Sequence, residues 1–185
     1  MALLVLLRGV NVGGHRRLRP RLLAEALAEF DAVNIGAAGT LVVRKPGTRA
    51  RLRAALRTQL TEATQFIFCE GRELLRLDAN GSFRKPSPDT GLVRFVSFLA
   101  SVPRTRPLLP LTIPADGEWL VRVTTMSNRL AVGDYRRHMK TIGCLGQLDR
   151  LFGTVATTRS WNTVNAILKV LKDDGRTAPR RRRGG

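Results

Sequence analysis

A short apolar run that stops abruptly is the strongest constraint on how this chain can fold. Residues Ala2 to Leu7 are all apolar, and Arg8 to Gly14 then read Arg-Gly-Val-Asn-Val-Gly-Gly. The run is too short for a membrane span or for the apolar core of a signal peptide, and no positive charge precedes it. It therefore predicts a buried strand in a cytoplasmic protein, with a polar, glycine-rich loop immediately after it.

The residues after this strand alternate between helical and extended patterns. A helix is predicted from Pro20, with an apolar stripe that ends at Phe30. Two short strands follow at 32–35 and 40–44, then a helix capped by Thr48, then a strand at 65–69. The order strand, helix, strand, strand, helix, strand is that of the ferredoxin-like fold, in which helices cover one face of an antiparallel sheet.

The second half of the chain is predicted to be less regular. Leu92 to Leu99 alternates like a strand, and residues 118–124 and 129–133 read as a hairpin around Ser127 and Asn128. Pro103 to Pro114 contains four prolines, so it is predicted to be a loop or one irregular turn. A short helix at 145–152 and a last helix from about Ser160 to Lys172 complete this half, and a fourth strand is not visible.

These patterns predict an α+β protein of two ferredoxin-like (βαββαβ-type) subdomains with antiparallel sheets, the second irregular. The first subdomain takes residues 1–78, and the second takes 92–172. Residues 79–91 have linker composition, with Asn80-Gly81, Pro86 and Pro88. The tail, 173–185, contains four adjacent arginines and no apolar run, which predicts a disordered basic segment.

Positive charge dominates this chain and is unevenly distributed. The formal net charge is +18, with 32 basic and 14 acidic residues. Residues 1–60 hold 11 basic and 3 acidic residues, and residues 119–172 hold 9 and 2, whereas 61–118 are balanced at 7 and 7. A field of this sign attracts polyanions, so nucleic acid is the first partner to consider and an anionic membrane surface the second. A solvated protein with an unusual isoelectric point is the simpler alternative.

The glycine-rich loop and a segment near the other end of the chain are candidate anion sites. In the first, Arg8 and Asn11 would bind an anion beside the backbone N–H groups of Gly9, Gly13 and Gly14. In the second, Arg159 and Asn162 lie at the predicted start of the last helix. If the chain ends meet, these groups converge. The structural alternatives are an Asx turn with Arg8 paired to a carboxylate, and a capped helix anchored by Trp161.

Other arginines are candidate contacts for a nucleic-acid backbone. Those at four-residue spacing on the predicted second helix repel one another, and a polyanion would relieve that cost; a solvated helix face is the alternative. The remaining ones follow the glycine-rich loop. The full set is Arg16, Arg17, Arg19, Arg49, Arg53 and Arg57. Exposed aromatic residues able to stack on bases are not evident in the sequence.

The sequence contains no visible catalytic or metal-binding constellation. His15 and His138 have no fixed spacing to a nucleophile or an acid, and Asp134 and Asp149 look isolated. Cys69 and Cys144 lie in apolar neighbourhoods without metal-ligand spacing, which predicts two buried thiols. No metal and no cofactor is therefore predicted, and an enzyme is unsupported.

Two segments resemble the signatures of the bacterial family called domain of unknown function 1697. They are Leu6 to Gly14, reading LLRGVNVGG, and Ala156 to Val164, reading ATTRSWNTV. The resemblance implies two α+β subdomains of ferredoxin-like character and supplies no activity. Residues 37–40 read Ala-Ala-Gly-Thr where the family tends to read Gln-Ser-Gly-Asn, and the Gly-Tyr-Gly-Arg-like loop of the family corresponds to Gly133 to Arg136.

The functional hypothesis from the sequence is a non-catalytic binder of nucleic acid or of another phosphate-rich anion. The alternative is a small-molecule enzyme or regulator that binds a nucleotide-like anion between the first loop and the last helix.

Overall fold

The computed structural model describes residues 1–8, 19–81, 91–104 and 106–177, with side chains up to residue 174. Most of the predicted linker, at 82–90, and the end of the tail, at 178–185, lie outside the described residues. The first half contains β1 (Leu3–Arg8), α1 (Pro20–Ala26), a 3₁₀ turn (Ala28–Phe30), β2 (Ala32–Ile35), β3 (Thr40–Val43), α2 (Arg49–Gln59), β4 (Gln65–Glu70) and α3 (Gly71–Ala79). The second half contains β5 (Leu92–Leu99), β6 (Leu111–Ile113), β7 (Val121–Ser127), β8 (Leu130–Arg136), α4 (Thr141–Gly146), α5 (Leu148–Phe152), β9 (Ala156–Ser160) and α6 (Trp161–Thr177).

Within the described residues the strands form two antiparallel sheets. Sheet one has the order β2-β3-β1-β4, and sheet two has the order β6-β7-β8-β5-β9. The buried apolar strand predicted at the N-terminus is central to sheet one, where β1 pairs with both β3 and β4. The protein is thus of mixed α and β structure with two antiparallel sheets.

One apolar cluster joins the two halves of the chain. It includes Leu4 and Leu6 of β1, Phe98 of β5, and Val164 and Ile167 of α6. The opposite face of sheet one packs against α1 and α2, and the opposite face of sheet two packs against α4 and α5. Helices α3 and α6 therefore lie against the inner faces, and α2 and α5 belong to opposite outer layers.

Local sequence explains several element boundaries. Thr48 Oγ1 accepts from Arg51 N at 3.2 Å, which caps α2 as predicted. Helix α3 begins with a reciprocal capping box between Glu70 and Glu73. Helix α5 ends before Gly153, which has a φ of 62°.

The second half departs from prediction in four places. Strand β6 forms inside the proline-rich stretch predicted as a loop, and β9 occupies residues predicted to cap the last helix. Gly133 to Arg136 lies in β8 instead of a loop, and α6 continues through Thr177, past the predicted end at Lys172. One missed strand has three residues, too few for an alternating pattern to be recognised, and the other is rich in threonine and lacks alternating apolar residues.

A polar contact also joins the halves, at the turn between β7 and β8. Arg129 Nη2 donates to Glu73 Oε1 at 2.7 Å, and Asn128 Nδ2 donates to Glu73 Oε2 at 2.8 Å. Arg129 Nη1 also donates to the carbonyls of Phe68 at 3.1 Å and Ala100 at 3.2 Å. Burial by itself raises the pKa of Glu73, but the hydrogen bonds and the charge of Arg129 outweigh it and hold that pKa below its usual value.

Acid should weaken this contact, because a carboxyl with a depressed folded pKa favours the folded state only while it is ionised. Its stabilising contribution is present above the unfolded pKa and is lost as the pH falls through the folded pKa. Glu73→Gln should lower the free energy of unfolding by about 2 kcal/mol at neutral pH, and by progressively less in acid. Urea unfolding of both proteins, from neutral pH down through the folded pKa of Glu73, measures the difference in the free energy of unfolding. A difference that stays constant over this range would contradict the stabilising role of the ionised Glu73.

Candidate anion-binding site

Arg159 is buried at the junction of the two sheets, with 7% of its surface exposed. Its Nε donates to Thr40 Oγ1 at 2.7 Å, and its Nη1 donates to Thr157 Oγ1 and to the Thr158 carbonyl, both at 2.9 Å. Its Nη2 donates to the carbonyls of Leu7 at 2.8 Å and Ala38 at 3.0 Å. A guanidinium has five N–H donors, so protein oxygens engage its full donor set.

The contacts of Arg159 are all with neutral groups, and no ion pair is formed by this side chain among the described residues. Burial lowers the pKa of Arg159 to about 10, because the charged form loses hydration that neutral oxygens replace incompletely. Arg159 therefore remains a cation at neutral pH, and the dipoles of the surrounding carbonyl and hydroxyl groups stabilise its charge.

Arg8 lies where β1 ends and is tied to the segment that leads into β9. Its Nη1 donates to Asp149 Oδ2 and to the Ala156 carbonyl, the latter at 3.2 Å. Asp149 Oδ1 in turn accepts from Ala156 N at 3.0 Å. Together with the bond from Arg159 to Leu7, these contacts place the end of β1 beside β9, so the two signature segments meet in space.

The other residues predicted for the anion site add no contact to the junction of Arg8 and Arg159 among the described residues. Asn162 is exposed in the first turn of α6, and Ser160 Oγ lies 3.4 Å from Thr163 Oγ1 at the start of that helix. Gly9, Asn11, Gly13 and Gly14 lie outside the described residues. A shared anion site between Arg8 and Arg159 stays a prediction.

The arginines predicted to contact nucleic acid have several different environments. Arg49 forms an ion pair with Glu70, whereas Arg53 and Arg57 of the same helix form none among the described residues. The Arg53 guanidinium carbon lies 5.4 Å from the ring centre of Phe66 and 5.2 Å from that of Phe68. That of Arg57 lies 4.8 Å from Phe66. Arg19 is exposed before α1, and Arg16 and Arg17 lie outside the described residues.

The alternative in which Arg8 pairs with a carboxylate is confirmed, but sequence reasoning did not identify the acid, and it missed the acid that pairs with Arg94 and the hydroxyl that accepts from Arg159. Asp149 pairs with Arg8, and Asp134 pairs with Arg94 at 3.2 Å, so the expectation that both acids are isolated is wrong. Thr40 was noted as a departure from the family signature, yet its hydroxyl accepts from Arg159. No local sequence pattern predicts these contacts, because each joins residues at least 40 positions apart.

The two cysteines of the chain are buried, free thiols. Burial raises the pKa of the Cys69 thiol to about 12, which leaves it protonated at neutral pH, and the charge of Glu73 adds to this effect. Cys144 is also buried and free, as predicted for both thiols. Across the described part of the chain, no three histidine, cysteine, aspartate or glutamate side chains group closely enough to hold a metal ion.

The fold and this polar junction define a mixed α/β protein in which the half-buried Arg8 and the buried Arg159 fasten the end of β1 in one sheet to the edge strand β9 of the other. The chain belongs to the family described as Protein of unknown function (DUF1697), whose model matches residues 1–124. Family membership is thus confirmed, and the matched span includes the signature at Leu6 to Gly14. No curated protein and no solved structure matches the chain. Among the described helices, none has the length and apolar character needed to cross a membrane.

Proposed function

We propose that this protein binds nucleic acid, as a phosphate-rich polyanion, through the basic surface formed by α2 and β4. The observation that carries the proposal is the environment of Arg53 and Arg57. Both guanidinium groups lie over aromatic rings and have no carboxylate partner among the described residues. A guanidinium packed on a ring keeps its charge and its N–H edge, and that edge suits the oxygens of a phosphate.

The geometry of α2 supports a row of phosphate contacts. Helix positions four residues apart rise by about 6 Å along the axis, so Arg53 and Arg57 follow one another along one face. Arg57 Nη1 donates to the Thr64 carbonyl at 3.0 Å, which holds its guanidinium beside Phe66. Neighbouring Arg49 and Arg51 have acidic partners, Glu70 and Glu29. The unpaired charge of α2 is therefore concentrated at Arg53 and Arg57.

We also propose that residues 1–78 form a ferredoxin-like subdomain. Its support is the strand order β2-β3-β1-β4 together with α1 and α2 on the same face of the sheet. A split β-α-β arrangement produces that order when each helix connects two parallel strands with a third strand between them. In this arrangement α2 and β4 are consecutive, which brings the arginines of α2 over the phenylalanines of β4.

Salt dependence provides the test of polyanion binding. The full chain should bind a labelled DNA or RNA duplex of arbitrary sequence, with affinity that falls linearly in the logarithm of salt concentration. Arg53→Gln/Arg57→Gln should weaken binding equally for unrelated sequences and reduce the salt slope by about 2, since each phosphate contact contributes ~0.9. Fluorescence anisotropy at several salt concentrations measures both quantities.

Arg72→Gln/Arg76→Gln is the matched control, because these two α3 arginines are exposed and form no ion pair among the described residues. It removes the same charge from a different face. Equal losses in the two double variants would reject the α2 surface, and no binding at low salt would reject the function. Thermal unfolding should be measured alongside the assay, because each cation–π contact that the Arg53→Gln/Arg57→Gln variant loses lowers folding stability by about 0.5–1 kcal/mol.

A second candidate is a small anionic ligand at the junction of Arg8 and Arg159. It is favoured by one observation, the buried charge of Arg159, which has no carboxylate partner among the described residues. Because neutral protein oxygens engage all five of its N–H donors, an anion would bind there by replacing some of those oxygens. Calorimetric titration with inorganic phosphate tests it. One stoichiometric site that Arg8→Ala abolishes would support this candidate, while unchanged heat in that variant would remove it.

A further inference from the structure

The outer surface of α4 and α5 has an unusual composition for a solvent-facing helix. Gln147, which separates the two helices, is itself in the right-handed helical region, so 141–152 winds almost continuously. Thr141, Cys144, Leu148 and Phe152 form the buried stripe. The opposite side, which ordinarily carries polar residues, presents Ile142, Gly143, Gly146, Gln147, Arg150 and Leu151 to solvent.

Two apolar side chains protrude where α4 begins. Met139 is 95% exposed and Ile142 is 81% exposed. The turn that carries them is fixed by hydrogen bonds, from Thr141 Oγ1 to the Arg136 carbonyl at 2.6 Å and from Lys140 N to His138 Nδ1 at 3.2 Å. Side chains this exposed contribute nothing to the core, and neighbouring exposed apolar side chains rimmed by polar residues are typical of protein or membrane interaction sites.

Exposed cations lie close in the sequence to these two side chains. Arg137, Lys140 and Arg150 are exposed, and none forms an ion pair among the described residues. The sequence from 137 to 152 contains a single acid, Asp149, and that carboxylate is paired with Arg8. Protruding apolar side chains within a set of cations match the boundary between acyl chains and anionic headgroups. A second copy of this face would instead oppose like charges.

We propose that this face, the α4–α5 surface, docks on an anionic phospholipid membrane. Met139 and Ile142 enter the acyl boundary, and Arg137, Lys140 and Arg150 contact the headgroup phosphates. The inference is independent of nucleic-acid binding, because α2 and α4 belong to opposite outer layers of the molecule. Each surface can therefore be tested while the other remains intact.

Vesicle sedimentation with the full chain tests the proposal. The protein should sediment with vesicles of phosphatidylcholine and phosphatidylglycerol and much less with phosphatidylcholine alone. Met139→Ser/Ile142→Ser should reduce binding to the anionic vesicles at least tenfold, with unchanged thermal unfolding since both side chains are exposed. Leu22→Ser is the matched control on the opposite outer layer, where Leu22 is 51% exposed on α1.

Fluorescence distinguishes insertion from adsorption by net charge. Met139→Trp should shift its emission to shorter wavelength on anionic vesicles, relative to the unsubstituted chain, because the indole leaves water. Equal vesicle binding by the native chain and Met139→Ser/Ile142→Ser would overturn the proposal, as would an unshifted spectrum with the protein bound. A native dimer that this double variant converts to a monomer would also overturn it, by assigning the surface to self-association.

Discussion

Arg159→Met should lower the free energy of unfolding by about 3–5 kcal/mol, because it removes the donors from a buried group of oxygens. Methionine has similar length and fills much of the same space, so the loss of packing is small. The carbonyls of Leu7, Ala38 and Thr158 and the hydroxyls of Thr40 and Thr157 would each lose a donor. Urea unfolding at neutral pH measures the effect.

Two further substitutions make the Arg159 prediction specific. Arg159→Lys keeps the charge but supplies three donors without the planar geometry, so a loss of about 2 kcal/mol is expected. Arg150→Met removes an exposed arginine from α5 and should change stability by less than about 0.5 kcal/mol. If Arg159→Met costs no more than Arg150→Met, the hydrogen bonds assigned to Arg159 do not support the fold.

Gly133→Ala should lower the free energy of unfolding about as much as Arg159→Met, because there is no room for a Cβ atom at this position. A Cβ at this position would lie 2.1 Å from the Arg122 carbonyl oxygen and 2.9 Å from Cζ of Phe95. The crowding arises where β8 passes an irregularity in β7, between Val123 and Thr125, which brings the β7 backbone close to the glycine. Because a central strand cannot move aside freely, we expect a loss of at least 3 kcal/mol or failure to fold.

The matched control for Gly133 is another glycine that has free space around it. Gly143→Ala in α4 would place a Cβ in open space, with no atom from beyond its chain neighbours and its own helix backbone within 4 Å, and alanine favours the helix. It should therefore stabilise the protein by up to about 1 kcal/mol. Circular dichroism and thermal unfolding of both variants check the pair, and equal stability of the two would contradict the close approach at Gly133.

Sequence periodicity predicted the first half of the protein well, because its elements are amphipathic and locally capped. Strand β2 was predicted at its observed bounds, and Thr48 caps α2 as expected. In the second half, strand β5 also alternates as predicted, with Phe95 and Leu99 toward α4 and α5 and Phe98 toward the inner cluster. In these segments burial follows from the pattern of neighbouring residues.

The candidate sites were predictable in residue type but not in partner. The four-residue spacing of Arg53 and Arg57 indicated a shared helix face, whereas their packing on Phe66 depends on β4 lying beside α2. The two signature segments contain Arg8 and Arg159, and the fold places these segments beside each other. The acid that pairs with Arg8, and the oxygens of Leu7, Ala38 and Thr40 around Arg159, come from distant parts of the chain, so no local pattern indicated them.

The sequence by itself determined the excess of positive charge, the order of most elements in the first half and the family. Those properties depend on composition, on short-range spacing and on two recognisable segments. Only the tertiary structure decided that Arg159 is an internal cation, that Arg8 has an acidic partner, and that residues 156–160 form an edge strand. The physical reason is that a buried arginine is stable only where distant segments supply enough oxygens to replace its water.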